Sequence, residues 1–165
     1  MRWAKANSFW AQDIQGDGQC LYRTLAAHLN LGVEELRGEL IAQIHHIRHV
    51  LDNMDPTGAL LNEALSELKD PQVWGSALHI ALAAENRKLT IWVHAFKQPP
   101  QMMGSGQTTI HILWHNAKDP NGDPNHYDAL HPIPGSPQQH MEPHPQVFPM
   151  HDKDHGNTHK PRHRA

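Results

Sequence analysis

The spacing of apolar residues changes once along the chain, and this change limits the class of fold open to it. Between about residues 20 and 86, apolar residues recur at intervals of three and four, which is typical of amphipathic helices. From Leu89 onward they form β-branched runs or alternate with polar residues, which is typical of strands. Helices first and strands second predict an α+β domain with a small β-sheet packed between helices.

Local signals divide this pattern into elements. Asp55-Pro56 and Asp70-Pro71 each resemble a helix N-cap followed by proline in the first turn, so both predict helix starts. Groups of proline, glycine and asparagine separate the later strands. The predicted helices are Cys20–Leu29, Val33–Asn53, 56–68 and 71–86, and the predicted strands are 8–14, Leu89–Ala95, Thr108–His115 and His126–His131.

The composition changes near Pro134. Beyond this point proline, histidine, glutamine and charged residues dominate, and apolar periodicity is lost. Such a segment buries too little apolar surface to offset the entropy of ordering it. We therefore predict one domain over residues 1–133 and a disordered Pro/His-rich tail over residues 134–165.

Charge, hydropathy and cysteine content exclude several classes of protein. A net charge of −3 and a pI near 6.6 do not favour nucleic-acid binding. No stretch approaches the ~20 apolar residues that span a bilayer, and the first twelve residues do not resemble a secretion signal. One cysteine cannot form an internal disulfide, which fits a reducing compartment. We expect a cytoplasmic monomer without cofactor or metal, or a protein that acts in a host cytosol if it is an exported effector.

The single cysteine follows a glycine-rich turn, Gly16-Asp17-Gly18, and begins an apolar helix. A thiol at a helix start meets free backbone N–H groups and the positive end of the helix dipole, and both favour the reactive thiolate. The same N–H groups can stabilise a developing oxyanion. On its own, Cys20 is better explained as a buried small apolar residue, which is the commoner role of such a cysteine.

A candidate base lies late in the chain, in Asn125-His126-Tyr127-Asp128. Side chains alternate along a strand, so His126 and Asp128 would point to the same side. Asp128 could then orient the imidazole and stabilise the imidazolium, as a nucleophilic cysteine requires.

Together these segments resemble the ovarian-tumour (OTU) family of cysteine proteases. Residues 16–23 resemble its Gly-Asp-Gly-x-Cys turn followed by an aromatic residue and arginine, and residues 73–82 resemble its Trp-Gly helix. Residues 89–93 resemble the strand after that helix, and residues 126–128 its C-terminal histidine motif. The resemblance covers about residues 14–133, and it implies a papain-like OTU fold.

The resemblance also implies an activity and its residues. It implies a thiol-dependent deubiquitinase that cleaves (iso)peptide bonds at the C-terminal glycine of ubiquitin or a ubiquitin-like modifier. Cys20 would be the nucleophile and His126 the base, while backbone amides of Gly18, Gln19 and Cys20 would hold the oxyanion. Asp128 is favoured as the third member, Asp17 is the second choice and Asn125 a weaker third.

Two other hypotheses remain open from the sequence. The chain could be a non-catalytic OTU-fold module that binds ubiquitin or another partner, although the complete set of catalytic residue types argues against this. It could also be an OTU domain of a larger polyprotein or mobile-element protein.

Overall fold

The computed structural model describes residues 2–48 and 57–135. Five helices and five strands are found in this part of the chain. The helices are α1 (Arg2–Ala6), α2 (Cys20–Leu29), α3 (Val33–Gln43), α4 (Ala59–Lys69) and α5 (Ala77–Arg87), and the strands are β1 (Phe9–Gln12), β2 (Leu89–Ala95), β3 (Gln98–Met103), β4 (Thr108–His115) and β5 (His126–Pro132). The predicted α+β class is confirmed.

The five strands form one mixed sheet in the order β1-β5-β4-β2-β3. Only β2 and β4 pair in parallel, and the other three pairs are antiparallel. Strand β5 lies between β1 and β4, with Gln12 opposite Ala129 and His115 opposite His126. The start of β5 and the end of β4 therefore lie side by side.

The two faces of the sheet carry different apolar clusters. Ile112 and Ala129 contribute to the large core that helices α2 to α5 share with the sheet. Neighbouring side chains on the same strands, Leu113 and Leu130, point to the opposite face. There they form a smaller cluster with Ala4 and Phe9 from the N-terminal segment. The sheet is thus covered on both faces, by helices on one and by the N-terminal segment on the other.

Two predicted helices have different bounds in the structure. The helix expected to continue to Asn53 ends at Gln43, and residues 44–48 form turns. Ile44 and Ile47 are nevertheless buried in the core. Tight turns can bury two such side chains as well as a helix can. The spacing of apolar residues in the sequence therefore does not distinguish a helix from turns here. Residues 49–53 lie outside the described residues.

Neither helix predicted from an Asp-Pro pair begins where it was expected. After the first pair, which lies outside the described residues, α4 begins only at Ala59, following Gly58 in a left-handed conformation. At the second, the Asp70 carboxylate accepts the Gln72 N–H (2.9 Å), which forms a turn and not a helix. Helix α5 begins at Ala77, so Trp74 precedes the helix on which it was predicted.

Two elements were not predicted at all. Helix α1 is short and lacks a long periodic pattern, and β3 contains Pro99 and Pro100 in a segment interpreted as a turn. Strand β3 is an edge strand that pairs only with β2, and the pairing register shifts at these prolines. Proline is tolerated at such edges and bulges because no partner strand needs its missing N–H.

The predicted tail lies outside the described residues beyond Gly135. Among the residues that the structure describes, no helix has the length and apolar character to cross a membrane.

Candidate active site

The nucleophile candidate, Cys20, is the first residue of α2 and is 5% exposed. No side chain caps this helix start, so the N–H groups of its first turn are not taken up by a capping side chain. The preceding Gly18 has φ of 85°, and a Cβ there would lie 3.1 Å from the Trp74 ring nitrogen. Backbone conformation and the indole both require glycine, and together they fix the turn that leads into Cys20.

The base candidate, His126, begins β5 and contacts Cys20. Its Nε2 lies 2.8 Å from Asp128 Oδ1, and the Cys20 side chain is near enough to the same imidazole ring to raise its pKa. Because Asp128 occupies Nε2, Nδ1 is the nitrogen that remains for the thiol. A Cβ on Gly16 would lie 3.4 Å from Nδ1, so this side of the ring is bordered by the glycine turn. The structure thus brings Cys20, His126 and Asp128 together, with His126 and Asp128 joined by a hydrogen bond.

The surroundings of His126 favour its protonated form. Burial alone would lower its pKa, but hydrogen bonds to Asp128 and Cys20 outweigh burial and raise the pKa to about 10. For Asp128, burial would raise the pKa, whereas hydrogen bonds from His115, His126 and the Ile14 N–H hold it well below its usual range. An ionised carboxylate beside an imidazolium can stabilise a thiolate on the far side of the ring.

Asp17, the second choice for the third member, is paired with Arg23 and not with His126. Its carboxylate accepts Arg23 Nε at 2.9 Å and Arg23 Nη2 at 2.5 Å. It also accepts the Gln19 N–H at 3.1 Å, across the turn that carries Gly18 and Gln19. Although burial acts in the opposite direction, the Arg23 and Gln19 hydrogen bonds lower the Asp17 pKa. This carboxylate fixes the shape of the candidate oxyanion loop.

Asn125, the third choice, connects to the site through its backbone. Its N–H donates to the His115 carbonyl at 3.0 Å and so continues the pairing of β5 with β4 by one residue.

No protein-family model matches the chain, and no curated protein is similar to it in sequence. Solved structures, in contrast, are similar in fold. The OTU domain of OTUD1 superposes with a TM-score of 0.58 at 17% identity, over 79% of this chain and 90% of that domain. An ovarian-tumour (OTU) domain in complex with ubiquitin gives 0.56 at 17% identity, over 74% and 69%. The viral OTU domain protease from Taggert virus gives 0.55 at 21% identity, over 79% and 83%. This chain has the OTU-domain fold.

Within this OTU fold, sequence reasoning missed His115. It is the last residue of β4, it is 3% exposed, and its Nε2 lies 2.7 Å from Asp128 Oδ2. Its position opposite His126 depends on the register between β4 and β5. The sequence contains sixteen histidines, and nothing local distinguishes this one. Only the strand pairing shows that it belongs to the site.

One group of side chains at this OTU-fold site has the spacing of metal ligands. One ligand atom each from exposed Asp13 and buried His126 and Asp128 lie within 4.8 Å of one another. Asp128 already accepts hydrogen bonds from His115, His126 and Ile14, so a cation would have to displace at least one of these donors.

Proposed function

We propose that this chain is a cysteine-type deubiquitinase that cleaves (iso)peptide bonds at the C-terminal glycine of ubiquitin or a ubiquitin-like modifier. The observation that carries the proposal is that Cys20, at a helix start, lies beside His126, which is hydrogen-bonded to Asp128, on an OTU fold. One similar structure is an OTU domain bound to ubiquitin, which supports the choice of modifier. The cytosol, where a lone thiol stays reduced, is the compartment we propose.

The reaction follows from the arrangement of these groups. The Cys20 thiolate attacks the carbonyl carbon of the modifier's C-terminal glycine, and backbone N–H groups at residues 18–20 stabilise the oxyanion. The His126 imidazolium then gives its Nδ1 proton to the departing lysine amine, leaving a thioester on Cys20. Neutral His126 next takes a proton from water as the water oxygen attacks the thioester, which releases the modifier's carboxylate and restores the Cys20 thiolate beside the His126 imidazolium. Throughout, Asp128 keeps its hydrogen bond to Nε2 and holds the orientation of the ring.

A ubiquitin that carries an electrophile at its C-terminus tests the proposal directly. The wild-type chain should form a covalent adduct under reducing conditions, and Cys20→Ala should form none. Because Cys20 is the only cysteine, any thiol adduct reports on this residue alone. If wild type forms no adduct while a known deubiquitinase does in parallel, the proposed activity on ubiquitin is contradicted. A panel of diubiquitins and ubiquitin-like probes then identifies the linkage or modifier.

The burial of Cys20 favours a second candidate function. With 5% of its surface exposed, the thiol is not openly accessible in this conformation. An OTU-fold module that binds ubiquitin or another partner without hydrolysis would not need an accessible thiol. Ubiquitin binding by Cys20→Ala, together with no turnover of any chain type by wild type, would support this module over the enzyme.

A further inference from the structure

His115 shares the Asp128 carboxylate with His126. The two histidines are opposite each other on β4 and β5, and Asp128 lies two residues further along β5 on the same face. Asp128 Oδ1 accepts His126 Nε2 at 2.8 Å, and Asp128 Oδ2 accepts His115 Nε2 at 2.7 Å. Each carboxylate oxygen therefore faces one imidazole.

These contacts determine where the ring hydrogens are. An ionised carboxylate only accepts hydrogen bonds, so both Nε2 atoms must carry a hydrogen. The Ile14 N–H also donates to Oδ1, at 2.9 Å, which completes the donors on that oxygen. For Oδ2, the hydrogen-bond donor among the described residues is His115. With His115 present, both oxygens of this buried carboxylate are satisfied.

We propose that His115 is a positioning residue, whose Nε2–H holds the Asp128 carboxylate so that its other oxygen stays on His126. The proposal rests on the proposed function for its catalytic consequence, since His115 acts on Cys20 only through Asp128 and His126. Without this donor, a buried anionic oxygen loses its partner, and the carboxylate can rotate away from His126.

If His115 had only a structural role, the expected effect of replacing it would be different. The His115 ring also packs edge-on against Phe96, with the ring centroids 5.6 Å apart. If packing were its only role, a phenylalanine at position 115 would preserve function. If the hydrogen bond matters, phenylalanine should fail and glutamine, whose amide N–H has a similar reach, should largely succeed.

The test uses alkylation of Cys20 by iodoacetamide as a function of pH, which needs no ubiquitin substrate. The chain's only thiol is Cys20, so alkylation reports on this residue alone, and the pH dependence of the rate separates the state of the Cys20–His126 pair from access to the buried thiol. The other titratable groups around this pair are His115 from β4, Asp128 from β5 and Asp13 from the segment before α2, together with Arg23 of α2 and its ion-pair partner Asp17. Apart from the side chain at position 115, these groups are the same in every variant.

For His115→Phe we expect alkylation at neutral pH to slow about tenfold, and the rise of the rate with pH to occur at higher pH, because a less well held imidazolium stabilises the thiolate less. His115→Gln should restore most of the rate. His111→Phe is the matched control, because His111 is a buried histidine of the same strand and face whose ring partner is His94. It should keep the wild-type profile. A wild-type profile for His115→Phe, or an equal loss in His115→Gln, would overturn the proposal.

A measurement on the unmodified chain covers the case in which His115→Phe does not fold. Long-range proton–nitrogen spectra of the histidine rings should show a hydrogen on Nε2 of both His115 and His126 near neutral pH. A His115 ring with no hydrogen on Nε2 would overturn the proposal. Neither measurement depends on which modifier the chain cleaves, so failure of the ubiquitin probe would leave this test intact.

Discussion

Asp17 and Asp128 have different partners, and this difference predicts which carboxylate serves the imidazole. Asp128 contacts His126 directly, whereas Asp17 contacts Arg23 and the Gln19 N–H. Loss of the carboxylate that orients a catalytic histidine typically lowers kcat by about 10⁴-fold. We expect Asp128→Asn to approach this loss. Asp17→Asn should lower kcat about tenfold, because it weakens the pairing of position 17 with Arg23 that shapes the loop. It leaves Cys20, His126 and Asp128 unchanged.

Both variants are compared in steady-state hydrolysis of a fluorogenic modifier conjugate, with Arg23→Gln as the partner of Asp17→Asn. If Asp17 only shapes the loop through Arg23, these two variants should have similar kcat values. A larger loss for Asp17→Asn than for Asp128→Asn would assign the third position to Asp17.

The raised pKa of His126 predicts the pH dependence of activity. His126 should keep its proton until the pH rises through about 10, so kcat/KM should fall only on that strongly alkaline side. On the acidic side it should fall as the thiolate of the Cys20–His126 pair gains a proton. The profile of kcat/KM against pH measures both limbs. A rate unchanged down to pH 4 is incompatible with a thiolate nucleophile.

The sequence predicts those site residues whose relation is local. Cys20 follows its glycine turn directly, and His126 and Asp128 are related by strand alternation. His115 is not local to either group, because thirteen positions separate it from Asp128 along the chain. Its role emerges only when β4 and β5 pair in a particular register, which spacing within one strand does not specify.

The segment between α4 and α5 shows why one helix was predicted too early. A Cβ on Gly75 would lie 2.5 Å from Leu21 Cδ2, so this backbone passes very close to the side chains of α2. That approach brings Trp74 against Gly18 and the candidate oxyanion turn. An Asp-Pro pair is as compatible with a turn as with a helix start, and here tertiary packing determines which of the two forms.

The paired histidines of β2 and β4 predict acid sensitivity. His94 Nε2 and His111 Nδ1 are 3.0 Å apart, and burial lowers their pKa values to about 3 and about 4. An unfolded histidine binds a proton near pH 6.5, so stability from these rings is lost as pH falls below that value. We expect about 2 kcal/mol lost for each histidine between pH 7.5 and pH 5.

Urea unfolding at these two pH values, for wild type and a His94→Leu/His111→Leu variant, measures this effect. His126 acts with the opposite sign, because its raised pKa stabilises the fold below pH 6.5 and this is lost as pH rises through about 10. The double variant retains His126, so its difference from wild type isolates the buried pair. An equal acid loss in both proteins would contradict the assignment.

At the scale of the whole molecule, the N-terminal segment is part of the sheet that supports the site. Strand β1 pairs with β5, which carries His126 and Asp128, and Phe9 packs with Leu113 and Leu130 on the face away from α2 to α5. The segment between β1 and α2 then supplies the Ile14 N–H to Asp128. The sequence predicts the strand, but the short α1 and the second apolar cluster depend on long-range packing.

The predicted boundary near residue 133 can be tested against this N-terminal contribution. Replacing buried Phe9 with alanine should lower the free energy of unfolding by about 3–5 kcal/mol, because it opens a cavity over β4 and β5. Ending the chain after Gly135 should change it by less than about 0.5 kcal/mol, since a Pro/His-rich segment without apolar periodicity offers little to the core. Urea unfolding of the three proteins under one condition gives both differences. A loss above about 1 kcal/mol on deleting residues 136–165 would mean that this segment packs against the domain, and the boundary would then lie further along the chain.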